Sequence, residues 1–61
     1  MSAVRVLVVD DERPIRRFLR TALAAAEMEV AEAESGEDGL AAAAAFRPDV
    51  VVLDLGLPDI D

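Results

Sequence analysis

The sequence lacks several residue types, and each absence excludes a kind of chemistry. There is no cysteine, which excludes disulfides, zinc–thiolate sites and thiol nucleophiles. There is no histidine, so no imidazole can serve as a base, a metal ligand or a carrier of a phosphoryl group. Any metal ion bound by these residues must therefore be held by oxygen atoms.

Basic and aromatic residues are also few. All six basic residues are arginines, and Phe18 and Phe46 are the only aromatic residues. The net charge of −7 argues against binding of nucleic acid by this segment. No secretory signal is visible, and no apolar run approaches the roughly 18 residues that span a bilayer, so we expect a cytoplasmic protein that does not enter the membrane.

Three stretches of the sequence predict β-strands. Residues 4–10 (VRVLVVD) and 50–53 (VVVL) are almost continuously apolar, which is typical of central parallel strands that are covered on both faces. Residues 29–34 (EVAEAE) alternate between polar and apolar side chains, as expected of a shorter and half-exposed strand.

The stretch between the first two strands predicts a helix with Pro14 in its first turn. Its apolar residues recur at helical spacing and should face the core. They are Ile15, Phe18, Leu19, Ala22, Leu23 and Ala26. The arginines of this helix lie mostly away from that face, and we interpret them as a solvated basic surface in preference to a docking surface for a partner. They are Arg13, Arg16, Arg17 and Arg20.

A second helix is predicted after the second strand. Ser35 is its candidate N-cap, and Asp38 three residues later approximates a capping box. The helix should run to about Phe46, because Pro48 breaks the pattern before the third strand. The 61 residues thus predict a single α/β unit of order βαβαβ. With right-handed crossovers and a reversal of winding after the second strand, the parallel sheet has the order 2-1-3 and its two helices cover opposite faces.

Acidic residues follow the two strands that should be neighbours in this sheet. Asp10, Asp11 and Glu12 come after the first strand, and Asp54 comes after the third. Adjacent strands lie about 4.8 Å apart, so these side chains should share the crevice where open α/β sheets bind ligands. Two like charges about 4 Å apart repel by roughly 4 kcal/mol at an effective dielectric constant of about 20. A hydrated Mg²⁺ or Mn²⁺ is the expected occupant, since all the available ligands are oxygen atoms.

A single aspartate at the end of a strand is more often a turn former or a helix cap, and Asp11 or Glu12 could simply serve the first helix. For acids at the ends of two adjacent strands, we favour the metal site. The remaining aspartates flank prolines or the terminus, and we interpret them as turn residues. They are Asp49, Asp59 and Asp61.

Three segments together resemble the receiver domain of two-component response regulators. They are VLVVDDE before a helix that begins with proline, SGEDGL, and RPDVVVLDLGLPDID. The resemblance covers the whole chain but only about the first half of such a domain. It implies a flavodoxin-like fold, truncated to three strands. The LDLGLPDID segment is most similar to transcriptional regulators of the OmpR/PhoB class, in particular the KdpE group, which carry a DNA-binding domain after the receiver.

The resemblance also implies roles for individual residues. Asp54 matches the phosphoacceptor, and Asp10 and Asp11 match the acids that bind Mg²⁺ together with it. The main-chain carbonyl of Gly56 matches a further metal ligand, and Pro58 matches the proline four residues after the acceptor. The family's phosphoryl donor is a phosphohistidine on a sensor kinase, and a chain without histidine needs that donor from outside. The implied role is that of a signalling acceptor rather than an enzyme.

The departures from the family pattern are large. A receiver also uses a Ser or Thr after its fourth strand and a Lys after its fifth, whereas this sequence contains no lysine and predicts three strands. We therefore expect a half-receiver that has the acceptor and metal-binding acids without the switch. The third strand would also leave an open edge, for which the simplest remedy is a two-fold dimer.

Three other readings of the chain are possible. A phosphohydrolase with an aspartate nucleophile would need a second acid at position 56, where this chain has Gly56. Dinucleotide binding is weaker still, because no glycine-rich turn follows the first strand. The serious competitor is a non-catalytic assembly or folding fragment that self-associates through its exposed sheet edge.

Overall fold

A computed structural model describes residues 3–54, which form one parallel sheet and two helices. The elements are β1 (Arg5–Val9), α1 (Arg13–Ala25), β2 (Glu29–Ala33), α2 (Gly36–Phe46) and β3 (Val50–Leu53). This order confirms the predicted βαβαβ pattern. The range predicted for the third strand is identical to β3, while β1 is one residue shorter than predicted at each end and β2 is one residue shorter at its carboxyl end.

The strands lie in the order β2-β1-β3 and all run parallel, which confirms the predicted 2-1-3 topology. In the register, Val8 of β1 stands between Glu32 on one side and Val52 on the other. The four residues Val6–Val9 are 0 to 3% exposed, because β1 has a strand on each side and a helix on each face. This is the truncated, open version of the flavodoxin-like sheet that the resemblance implies.

The two helices cover opposite faces of the sheet, as predicted. Side chains alternate between faces along a strand, so Leu7 and Val9 of β1 point the same way. They form the core cluster with Ala33, against which Ala42 and Ala43 of α2 pack.

The other face of the sheet meets α1 through charged groups. Glu32 of β2 pairs there with Arg16 and Arg20 of α1.

Helix α1 differs from its prediction in two ways. Phe18 is 70% exposed and Ile15 is 41% exposed, so the predicted apolar stripe only partly meets the sheet. Arg16 is buried rather than solvated, with 9% of its surface exposed. Both differences follow from the position of α1, which packs mainly against β2 and less against β1. The sheet therefore covers the side of α1 that faces Glu32, and this side carries Arg16.

Strand β3 is exposed, and the prediction that it is covered on both faces is wrong for the part of the chain that the structure describes. Its four residues are 37 to 49% exposed. Within residues 3–54 neither helix packs against β3, and only β1 pairs with it. An apolar groove of about 580 Å³ results between α2 and β3, with Leu40, Val51 and Leu53 among its lining residues.

The ends of α2 are well capped. Ser35 Oγ accepts a hydrogen bond from the Asp38 N–H at 3.1 Å, which confirms the predicted N-cap. At the other end, the guanidinium of Arg5 donates to the Phe46 carbonyl at 3.0 and 2.6 Å and lies 4.3 Å from the centre of the Phe46 ring. A cation at the carboxyl end of a helix is favourable, so Arg5 ties α2 to the start of β1.

Candidate functional site

The acids predicted to form a site lie where β1 and β3 end. Asp10 and Asp54 each come directly after a strand. Their main chains extend the hydrogen-bonded ladder, since Asp10 N donates to the Ala33 carbonyl and Asp54 N donates to the Val9 carbonyl, both at 3.0 Å. The sheet itself therefore sets the positions of both residues.

Asp10, Asp11 and Asp54 come together as the sequence predicts. Each offers a carboxylate oxygen, and these oxygens all lie within 4.8 Å of one another. Asp10 is buried, Asp54 is half-buried and Asp11 is exposed, so the cluster opens to solvent on one side. Carboxylate oxygens are the ligands that Mg²⁺ prefers, and a divalent cation would offset the repulsion between the three acids. The donor set thus fits the predicted ion.

The Asp10 side chain also forms a turn. Its Oδ1 accepts a hydrogen bond from the Glu12 N–H at 2.9 Å, which orients the carboxylate. Glu12 occupies the N-cap position of α1, but its side chain makes no capping hydrogen bond and is exposed. Asp10 is therefore a turn former as well as a member of the cluster. The Glu12 side chain does not cap the helix.

Sequence reasoning missed an ionic network beside this cluster, with the buried Arg16 as its inner member. Arg16 Nη1 donates to the Asp10 carbonyl at 2.6 Å, and Arg16 Nε lies 3.4 Å from Glu32 Oε1. Arg20 Nη1 reaches Glu32 Oε2 at 2.9 Å. The available signal was Glu32 itself, because an acid in the middle of a predicted strand, on the face toward an arginine-bearing helix, requires a cationic partner.

The other predicted residues have different positions. Asp49 lies in a bend at the opposite end of β3 from Asp54, in agreement with its interpretation as a turn residue. Its Oδ2 accepts from the Arg5 N–H at 2.9 Å. The further predicted metal ligand Gly56, together with Pro58 and the two last aspartates, lies outside the described residues. Within residues 3–54, no helix is long and apolar enough to cross a membrane.

Comparison with known proteins agrees with this geometry. The family model for the response regulator receiver domain matches residues 6–61. The KDP operon transcriptional regulatory protein KdpE of Escherichia coli (strain K12) is 59% identical over 56 residues, which are 92% of this chain and 25% of that protein. The transcriptional regulatory protein KdpE of Mycobacterium tuberculosis (strain H37Rv) is 53% identical over 55 residues, which are 90% of this chain and 24% of that protein.

A third relative is the response regulator MprA of Mycolicibacterium vanbaalenii, 45% identical over 58 residues, which are 95% of this chain and 25% of that protein. The chain spans about a quarter of the length of these relatives. They confirm the predicted similarity to the OmpR/PhoB class. With the 2-1-3 parallel sheet and the acids at the ends of its two adjacent strands, the match over residues 6–61 shows that the chain belongs to the response regulator receiver domain family.

Proposed function

We propose that the chain accepts a phosphoryl group on the Asp54 carboxylate and that Mg²⁺ assists the transfer. The observation that carries this proposal is the gathering of three carboxylate oxygens within 4.8 Å at the ends of β1 and β3. Asp54 is half-buried, so its carboxylate remains within reach of a donor from solvent.

Asp10, Asp11 and Asp54 would hold the ion, and the Gly56 carbonyl would supply a further oxygen. Mn²⁺ has the same ligand preference and would substitute. When bound, a divalent cation neutralises negative charge on a transferring phosphoryl group. Asp10 is the buried ligand of the site, and the Glu12 N–H orients its carboxylate. Asp11 is the exposed ligand.

The reaction is a nucleophilic displacement at phosphorus. A carboxylate oxygen of Asp54 forms a bond to phosphorus while the P–N bond of a donor phosphohistidine breaks. The bonding pair stays on the imidazole nitrogen, which takes up a proton, and the product is an acyl phosphate. Because these 61 residues contain no histidine, the donor lies outside this segment, and a sensor histidine kinase has the required chemistry.

The wider role is that of a regulator of transcription, which is the role that the KdpE relatives are named for. The acidic segment 1–61 would act as the N-terminal half of the receiver, and DNA would be bound by a different part of the protein. A lysine-free segment has no ammonium group to meet the phosphoryl oxygens. We therefore expect residues 1–61 on their own to accept a phosphoryl group without operating the family's switch.

Phosphorylation with acetyl phosphate tests the acceptor. In the presence of Mg²⁺, intact mass measurement should show the addition of one phosphoryl group, which Asp54→Asn abolishes. Asp49→Asn is the matched control, because it makes the same substitution at the far end of β3 and should leave labelling unchanged. Equal labelling of the Asp54→Asn protein would refute the proposal.

A second candidate function rests on the exposure of β3. The 37 to 49% exposure of all four of its residues favours association through this strand. In that case residues 1–61 would form a homodimer without chemistry at Asp54. Labelling at Asp54 separates the two functions, because association alone adds no mass.

A further inference from the structure

We infer that Arg16 is a positioning residue for the acid cluster, in that its guanidinium sets the orientation of Asp10 and Asp11 and thereby the affinity of the site for a divalent cation. This inference rests on the proposed function, since it concerns the same site.

The contacts of Arg16 join three elements at one point. The side chain leaves α1, donates from Nη1 to the Asp10 carbonyl at the end of β1, and pairs through Nε with Glu32 of β2. Arg16 is 9% exposed, so water competes little for these bonds. Glu32 is held from its other oxygen by Arg20, which completes a bridge from helix to strand.

The bond to the Asp10 carbonyl acts on both metal-binding acids. A peptide group is planar, so the direction of the Asp10 carbonyl also sets the direction of the Asp11 N–H and of the chain that follows. The Asp10 N–H is already held by the Ala33 carbonyl and the Asp10 carboxylate by the Glu12 N–H. Arg16 fixes the remaining polar group of Asp10.

The charge of Arg16 and its geometry have opposite effects on cation binding. A positive charge close to three carboxylates lowers their attraction for a metal ion, so its removal would strengthen metal binding if charge alone mattered. Loss of orientation would weaken metal binding instead, because partners that orient metal ligands typically contribute about tenfold or more to affinity. The sign of the change therefore distinguishes the two effects.

The chain offers a matched control in Arg5. Like Arg16, Arg5 donates to a main-chain carbonyl and pairs with a glutamate of β2. It does so at the start of β1, whereas Arg16 acts where β1 ends. The variants Arg16→Met and Arg5→Met lose the same charge and the same kind of contact, but only the first touches the acid cluster.

The affinity for Mn²⁺ alone is measured by electron paramagnetic resonance on the full 61-residue chain, and melting temperatures are recorded for each variant. Arg16→Met should bind Mn²⁺ about tenfold more weakly than the unsubstituted chain. Arg5→Met should bind it as tightly or slightly more tightly. Glu32 keeps Arg20 as a partner in the Arg16→Met variant, so its half-buried carboxylate is not left unpaired.

Arg16→Lys keeps the charge and most of the side chain, but its compact ammonium cannot span both Asp10 and Glu32 as the guanidinium does. Arg16→Lys should also bind Mn²⁺ more weakly than the unsubstituted chain. It replaces Arg16→Met as the test variant if Arg16→Met does not fold. A folded Arg16→Met that binds Mn²⁺ as tightly as the unsubstituted chain would overturn the inference. If Arg16→Met does not fold, the same result with Arg16→Lys would overturn it.

A measurement without metal separates this inference from the proposed function. Loosening of Asp10 should accelerate hydrogen exchange of the Glu12 amide, which donates to Asp10 Oδ1. Faster exchange of the Glu12 amide in Arg16→Lys than in Arg5→Met supports the positioning role of Arg16, even if no variant binds Mn²⁺. Absence of Mn²⁺ binding with this exchange result would refute the metal site but not the positioning role. Equal exchange rates in a chain that binds no Mn²⁺ would overturn both.

Discussion

At the residue scale, Asp10 and Asp11 are adjacent in sequence but differ in their surroundings. Asp10 is 8% exposed and is bonded through its N–H, its carbonyl and its carboxylate. Asp11 is exposed, and its carboxylate belongs to the same cluster. Substitution of Asp10 would therefore disturb both the fold and the site, whereas Asp11 offers a way to change the site alone.

We predict that the chain binds Mg²⁺ or Mn²⁺ weakly and that Asp11→Ala abolishes this binding, because it removes one of three carboxylate ligands. In the absence of metal the variant should be no less stable than the unsubstituted chain, because Asp11 is exposed and its removal relieves repulsion from the other two acids. Titration calorimetry gives the affinity and thermal melting gives the stability. Glu12→Ala is the control, since it removes an exposed neighbouring acid that is not in the cluster. Equal loss of affinity in both variants would show that only net charge matters.

At the element scale, β1 and β3 have similar apolar sequences but very different burial. Val8 is 0% exposed, while its register partner Val52 is 37% exposed. The two residues have the same side chain, so the difference comes from the neighbours of each strand. An apolar sequence shows that a strand can be buried. Whether the strand is buried depends on its position in the sheet.

Gly39 sets how closely α2 approaches β1. A Cβ atom at this position would lie 3.0 Å from Val9 Cγ2 and 3.2 Å from Cγ1, so the helix or the valine would have to move. We predict that Gly39→Ala destabilises the chain by about 1 to 3 kcal/mol, as overpacking does. At an open helical position the same change would stabilise by up to about 1 kcal/mol. Urea unfolding measures the sign, and a gain in stability would show that the helix has room to shift.

At the scale of the whole molecule, much of the exposed apolar surface lies along β3, at one edge of the sheet. The groove between α2 and β3 is lined by Leu40, Val51 and Leu53, and β3 has an unpaired edge within residues 3–54. Natural sheets normally shield such edges with charge, a bulge or a covering element.

We predict that the isolated 61-residue polypeptide self-associates, most simply as a two-fold dimer, because association would cover β3. Analytical ultracentrifugation over a range of concentrations measures this. Val51→Lys should weaken the association by placing a charge on the exposed strand, whereas Thr21→Lys on α1 should not. A monomer that melts cooperatively at high concentration would contradict the prediction.

We also predict that residues 1–61 alone react with acetyl phosphate more slowly than a complete receiver domain. Preorganised cations that meet developing negative charge contribute strongly to rates of group transfer, and this sequence contains no lysine to supply one. The rate of mass increase under identical Mg²⁺ concentrations provides the comparison. A rate equal to that of the complete domain would show that the acid cluster suffices.

The sequence alone was enough to predict the five elements, the parallel 2-1-3 order, the Ser35 cap and the acids at the strand ends. These features depend on side-chain periodicity, turn residues and the handedness of crossovers, all of which are local or general. The family resemblance followed from the same residues.

Only the tertiary structure decided which of the predicted surfaces are covered. Arg16 is buried and Phe18 is exposed, the reverse of the helical pattern, because α1 lies over Glu32 rather than over β3. The contact between Arg16 and the Asp10 carbonyl joins residues that no periodicity relates. Burial and bonding depend on what each residue meets across space, and that follows from how the elements pack rather than from the pattern within any one of them.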